Sequence, residues 1–147
     1  HQDLTKLDKD TVYNEVFLDK QNLERMFDCQ ITGMAYPYGT YNDEVVQILK
    51  KCKIQYARSV VFSGAFKLQK NLLIFKPTCH HADENIWELL EKFLKEKSEE
   101  KQLFYIWGHS YEFDVNNNWK RMEEILDRLI GHNNIFYGTN REVLLPC

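Results

Sequence analysis

One histidine stands at the point where a buried strand is expected to end. Residues Phe104–Trp107 are mostly apolar, Gly108 frees the backbone, and His109 follows at once. In α/β folds the carboxyl ends of parallel strands carry the chemistry, and an imidazole there can act as general acid or base near neutral pH. Glu112 and Asp114 are the two carboxylates near enough in sequence to orient the ring. A structural histidine that hydrogen-bonds a loop is the alternative.

A second candidate cluster is the turn Tyr36-Pro37-Tyr38-Gly39, which follows another apolar segment. Proline and glycine fix a tight turn, and such a turn can direct a backbone N–H at a ligand. An ordinary strand-to-helix turn has the same composition, so the residues alone leave both interpretations open.

A third cluster contains His80, His81 and Asp83. Two histidines and a carboxylate can bind a metal ion, but adjacent side chains on a strand point to opposite faces. Both imidazoles therefore reach one ion only from a loop. The alternative is that Asp83 caps a helix and the two histidines lie on the surface.

The composition bounds the class of protein. With 147 residues, 44% hydrophobic and 14% aromatic, the sequence predicts one folded domain with a real core, and its net charge of -3 argues against a nucleic-acid partner. No apolar run approaches the roughly 18 residues that span a bilayer. The widely spaced cysteines, which form no C-x-x-C pair, argue against a structural zinc site; they are Cys29, Cys52, Cys79 and Cys147. These features do not distinguish a cytoplasmic from a secreted protein.

Helical and strand patterns alternate along the chain. The predicted helices cover about residues 9–27, 43–52, 86–94 and 119–129, and the predicted strands cover about 31–36, 55–60, 72–75, 104–107 and 135–137. This order indicates βαβ units and a mainly parallel sheet of an α/β protein. An open doubly wound sheet and part of a barrel both fit the pattern.

Taken together, the clusters resemble the polysaccharide deacetylase superfamily, also called the NodB-homology domain or carbohydrate esterase family 4. The turn Tyr36–Gly39 resembles its Arg-Pro-Pro-Tyr-Gly motif, and Ile106–His109 resembles its Leu-x-Leu-His motif. The start, His1–Leu4, looks like the second half of its His-x-x-x-His metal motif. Residues 107–113, with 117–119, are similar to a bacterial subgroup of the superfamily.

The resemblance implies a fold and a set of roles. The fold would be an incomplete (β/α) barrel, related to the TIM barrel, with about five mainly parallel strands and four helices. Residues 1–147 would form a single domain, the C-terminal portion of a deacetylase-like catalytic domain. His1 would be a ligand of a divalent metal, zinc or cobalt. The turn at Tyr38 would supply a backbone N–H to the oxyanion, and His109 would protonate the leaving amine.

The implied substrate is a carbohydrate. Pro37, Trp107 and Tyr111 would lie beside the sugar in a metal-dependent hydrolase that removes N-acetyl groups from an amino sugar, cleaving a carbon–nitrogen bond other than a peptide bond. The family's Asp-Asp motif and first metal histidine do not occur here, and Ala35 stands where the family has arginine. We therefore expect the 147-residue chain alone to be inactive, and its exposed sheet edge to pair with another chain, such as a second copy. A non-catalytic carbohydrate-binding or interaction domain is the alternative.

Overall fold

The computed structural model describes residues 1–145 and divides them into two compact units. The first unit contains residues 1–61, 69–76 and 138–145, and the second contains residues 62–68 and 77–137. Cys147 lies outside the described residues.

Both units combine short parallel strands with helices. The first unit contains α1 (Lys9–Phe27), β1 (Gly33–Ala35), α2 (Asp43–Lys51), β2 (Tyr56–Arg58) and α6 (Asn140–Leu144). The second contains β3 (Cys79–His80), α3 (Ile86–Lys95), β4 (Ile106–Trp107), α4 (Tyr111–Val115) and α5 (Trp119–Leu129). Of the helices within residues 1–145, none has both the length and the apolar character that a membrane crossing requires.

In the first unit, capped helices pack beside a small parallel sheet. Asp8 accepts hydrogen bonds from two backbone N–H groups at the start of α1, and Asn42 does so once for α2. β1 pairs in parallel with β2, and Phe75 extends this pairing through a parallel bridge to Arg58. The buried core is apolar and includes Val12, Val16, Val45, Leu49 and Ala57.

In the second unit, β3 pairs in parallel with β4, so that Cys79 lies opposite Ile106 and His80 opposite Trp107. The apolar face of α3 buries Ile86 and Leu90 in a core with Ile125 of α5. The pairing brings the ends of the two strands side by side.

The mixed helix–strand class is confirmed, but a five-stranded incomplete barrel is not. The described residues contain four short strands in two parallel sheets. Residues 72–74 form a 3-10 turn instead of a strand, because the Asn71 side chain accepts the Leu73 N–H and closes the turn. Residues 135–137 also form no strand, and there the Tyr137 hydroxyl donates to the Leu129 carbonyl.

Three elements were not expected from the sequence. β3 is only two residues long, which is too short for a periodic pattern to reveal. α4 is a five-residue helix directly after His109. α6 begins with a capping box in which Thr139 and Glu142 exchange side-chain-to-backbone hydrogen bonds.

Candidate functional site

The turn after β1 holds a strained backbone. Tyr38 has φ 57° and Gly39 has φ 74°, both in the left-handed region. A Cβ atom on Gly39 would come within 2.3 Å of the Val60 side chain, so only glycine fits there. The buried Tyr36 anchors the turn because its hydroxyl donates to the Leu73 carbonyl at 2.6 Å. Burial also raises the pKa of Tyr36, so its hydroxyl stays protonated and can donate. A non-glycine residue at positive φ persists only where its surroundings hold it in place.

Two amides of the turn donate within the turn itself. The N–H of Gly39 donates to the Tyr36 carbonyl at 2.9 Å, and the N–H of Thr40 donates to the Pro37 carbonyl at 3.3 Å. These two donors are used within the turn. The N–H of Tyr38 takes part in neither of these bonds, and it is the amide to which the resemblance assigns the oxyanion.

His1 lies against this turn. Its ring centroid is 5.3 Å from that of Tyr38, and the Tyr38 hydroxyl donates to the His1 carbonyl at 3.3 Å. Asp3 ties the segment down, since its Oδ1 accepts from the hydroxyls of Thr5 at 2.7 Å and Thr40 at 2.8 Å. These hydrogen bonds lower the pKa of Asp3 to about 2. The structure thus brings together two residues, His1 and Tyr38, that the sequence proposed for one site.

The described residues do not complete a metal site at His1. Among them, the group of three side chains that could hold an ion is His80, His81 and Glu112, and His1 is not part of it. The carboxylate nearest in sequence, Asp3, is engaged by hydroxyl groups.

In the second unit, His109 follows the end of β4 and faces Glu112. Its Nδ1 lies 3.3 Å from Glu112 Oε1, and its backbone N–H donates to Oε2 at 3.2 Å. The His109 side chain is 52% exposed. The other sequence candidate, Asp114, accepts instead from the Trp119 indole N–H at 2.7 Å. Glu112 is therefore the carboxylate that orients His109.

Glu112 also contacts His80 and His81, which lie at the end of β3. Its Oε2 lies 2.5 Å from His81 Nε2 and 3.2 Å from His80 Nε2. Burial pushes the pKa of Glu112 upward, but hydrogen bonds from His81 and His109 outweigh that effect and bring it to about 2. Glu112 is thus ionised near neutral pH and can only accept hydrogen bonds.

His80, His81 and Glu112 offer ligand atoms that all lie within 4.8 Å of one another. The sequence had suggested Asp83 as the third member, but Asp83 accepts from the backbone and side chain of Asn85 instead. The Ala82 N–H donates to His80 Nδ1 at 3.1 Å, which leaves the proton of a neutral His80 on Nε2. A metal would have to displace that proton, so the geometry favours a hydrogen-bonded cluster. Burial lowers the pKa of His80, which also favours the neutral ring.

The residues proposed to meet a sugar fall in both units. Trp107 and Tyr111 flank His109, with ring centroids 6.0 and 5.3 Å from the imidazole, and Tyr111 is 60% exposed. Pro37 lies in the turn of the first unit. The part that His80 and His81 play beside Glu112 was missed from sequence. Their place beside Glu112 follows from the pairing of β3 with β4. Predicting that pairing would have required recognising β3, a strand of only two residues, in the sequence.

Comparison with known families matched one part of the chain. Residues 1–57 match the family model for polysaccharide deacetylase. Comparison with curated proteins and with solved structures found no significant match. The matched range contains His1 and the turn at Tyr38, and it ends inside β2. The resemblance to NodB-type polysaccharide deacetylases is therefore confirmed over residues 1–57.

Proposed function

We propose that this protein takes part in hydrolytic removal of N-acetyl groups from an amino sugar in a polysaccharide or glycan. The observation that carries the proposal is the contact of His1 with Tyr38 inside the matched residues. The match supports a deacetylase-like family. The contact supports a shared role for the two residues.

The proposed general acid is His109. Because Glu112 is ionised, its contact with Nδ1 requires that nitrogen to carry a proton. Nε2 is then the nitrogen left for the leaving amine: the imidazolium, protonated on both nitrogens, would give its Nε2 proton to the amine and return to the neutral ring with its proton on Nδ1. A positioned imidazole of this kind typically contributes about 10²–10⁴-fold to a rate.

The proposed oxyanion donor is the backbone N–H of Tyr38. The held turn fixes this amide before substrate arrives, so the amide need not reorganise as negative charge develops on the acetamide oxygen. His1 stays a proposed ligand of a divalent metal, zinc or cobalt, whose chemistry when bound is to polarise that carbonyl.

A second candidate is a carbohydrate-binding domain without catalysis. The exposed ring of Tyr111 beside His109 favours it, because sugar rings stack on exposed aromatic faces. Ala35, at the position of the family's arginine, favours it too. In this case Tyr111→Ala would weaken binding of acetylated oligosaccharides while no acetate is released.

Acetate release from N-acetylated amino-sugar oligomers, with zinc or cobalt added, tests the proposal. The assay compares the 147-residue chain with the same chain preceded by whatever its gene encodes before His1. Release that depends on His109 supports the deacetylase. Oligomer binding without release from either protein supports the binding domain, and neither binding nor release contradicts both.

A further inference from the structure

We propose that Glu112, held in place by His80 and His81, is a positioning residue that fixes the orientation and tautomer of His109. The catalytic meaning of this arrangement rests on the proposed function. The arrangement itself is a property of the second unit and can be tested without any substrate.

The first step is that the Glu112 carboxylate contacts three imidazole rings. Glu112 Oε1 faces His109 Nδ1, whereas Oε2 faces the Nε2 atoms of both His80 and His81 and the backbone N–H of His109. An ionised carboxylate has only lone pairs to offer, so each nitrogen that contacts it must carry hydrogen. The contacts therefore assign His109 a proton on Nδ1 and assign His80 and His81 a proton on Nε2.

The second step is that contacts other than those with Glu112 assign the same tautomers to His80 and His81. His80 Nδ1 accepts the Ala82 N–H at 3.1 Å, so its proton belongs on Nε2. His81 is only 2% exposed, and its Nδ1 has no hydrogen-bond partner among the described residues. A proton on that nitrogen would be a buried donor without an acceptor, which is costly. Both rings thus present Nε2–H to the same oxygen.

The third step is that the backbone passes directly against the two rings. Gly108, with φ +157°, passes so close to the two rings that a Cβ would lie 1.9 Å from His81 Cδ2 and 3.2 Å from His80 Nε2. Parallel pairing places His80 opposite Trp107, one residue before this glycine. The two histidines and the segment that carries His109 are therefore fixed against each other.

The consequence concerns the free nitrogen of His109. An unrestrained neutral imidazole exchanges its proton between two tautomers and rotates about its side-chain bonds. With Nδ1–H directed at Glu112, the ring has one orientation, and Nε2 is the nitrogen left for substrate. His80 and His81 do not touch substrate in this scheme and act through Glu112.

Nitrogen-15 NMR of the imidazole rings, recorded at about pH 8 where ordinary histidines are neutral, tests the assignment. We expect His80 and His81 to show the Nε2–H tautomer and His109 to show the Nδ1–H tautomer. In Glu112→Gln the His109 signal should move toward the tautomer mixture of an unrestrained neutral imidazole. Asp114→Asn is the matched control and should change none of the three. A wild-type His109 with Nε2–H, or a spectrum unchanged in Glu112→Gln, overturns the proposal.

A kinetic measurement separates positioning from folding. If acetate is released, Glu112→Gln and the double variant His80→Gln/His81→Gln should lower kcat about 10-fold or more with little change in KM, and Glu112→Asp should recover part of the loss. A kcat equal to that of Asp114→Asn contradicts the catalytic part of the proposal. If neither the wild type nor any variant of the upstream-extended chain releases acetate, the proposed function fails and the tautomers alone decide the positioning.

Discussion

Gly108 lies so close to His81 that a single methyl group on it would fall 1.9 Å from the His81 ring. Gly108→Ala should therefore displace a buried ring and lower the free energy of unfolding by about 1–3 kcal/mol. All three tryptophans belong to the second unit, so tryptophan fluorescence during urea unfolding reports on it.

Gly131→Ala is the matched control for that substitution. Gly131 also has positive φ, +83°, but nothing lies within 4 Å of its added Cβ. The control carries the backbone strain without the overlap, so Gly108→Ala should be the more destabilising of the two. Equal losses would mean that the overlap with His81 is relieved at no cost.

His109 is expected to be essential for turnover if the protein is a deacetylase. His109→Gln should reduce the rate of acetate release by about 10²–10⁴-fold, because glutamine cannot deliver a proton to the leaving amine. The control is His132→Gln, since His132 is half-buried and its Nε2 contacts the Arg128 carbonyl rather than Glu112. A rate within about twofold of the control would remove His109 from the role of acid.

Asp8 should make α1 sensitive to acid. Its side chain accepts from the hydroxyl and the backbone N–H of Thr11, and these hydrogen bonds lower its pKa. A lowered folded-state pKa gives stability that is present above the unfolded value, about 3.9, and is lost as pH falls through the folded value. Urea midpoints followed by circular dichroism should therefore fall with acid less steeply in Asp8→Asn than in wild type.

Asp19→Asn, in the middle of the same helix, serves as the comparison. Its acid dependence should follow that of wild type, because Asp19 caps no helix end among the described residues. Parallel curves for Asp8→Asn and wild type would show that the cap contributes nothing to acid stability.

The cysteines should differ sharply in reactivity. Burial raises the pKa of the Cys79 thiol to about 12 and also raises that of Cys52, whereas Cys29 is exposed. The thiolate is the reactive form, so iodoacetamide at about pH 8 should modify Cys29 well before the other two. Peptide mass spectrometry measures each site, and denaturant should abolish the difference. Alkylation of native Cys79 as fast as Cys29 would place its thiol at the surface.

Helix α3 shows how much of the fold the sequence could predict. Ile86 and Leu90 recur at helical spacing, and burial of an apolar stripe is a local property that a pattern records. The pairing of β3 with β4 is different, because it joins residues 79–80 to residues 106–107 through hydrogen bonds that no local pattern encodes. Leu72–Ile74 was predicted as a strand because a short apolar run is compatible with both a strand and a helical turn. The Asn71 side chain, which accepts the Leu73 N–H, stabilises the turn.

The candidate site was predictable to a similar extent. His109 stood out because a glycine and a titratable ring followed an apolar run, and the structure places both at the end of β4. Choosing Glu112 over Asp114 needed the five-residue helix α4, which carries both carboxylates and turns only one of them toward His109. That choice depends on helix phase just after the strand, which the sequence pattern did not reveal.

The first unit is assembled from three separate stretches of chain, and this has a consequence for the order in which the protein forms during synthesis. Phe75, which extends the β1–β2 pairing, leaves the ribosome shortly after residues 1–61, whereas Leu144, which is buried, leaves it long after them. Part of the apolar surface of residues 1–61 therefore stays uncovered while the more than sixty residues of the second unit are translated. Residues 1–61 are therefore synthesised before the segments that complete their core, and in that interval their apolar surface is open to chaperones or to aggregation.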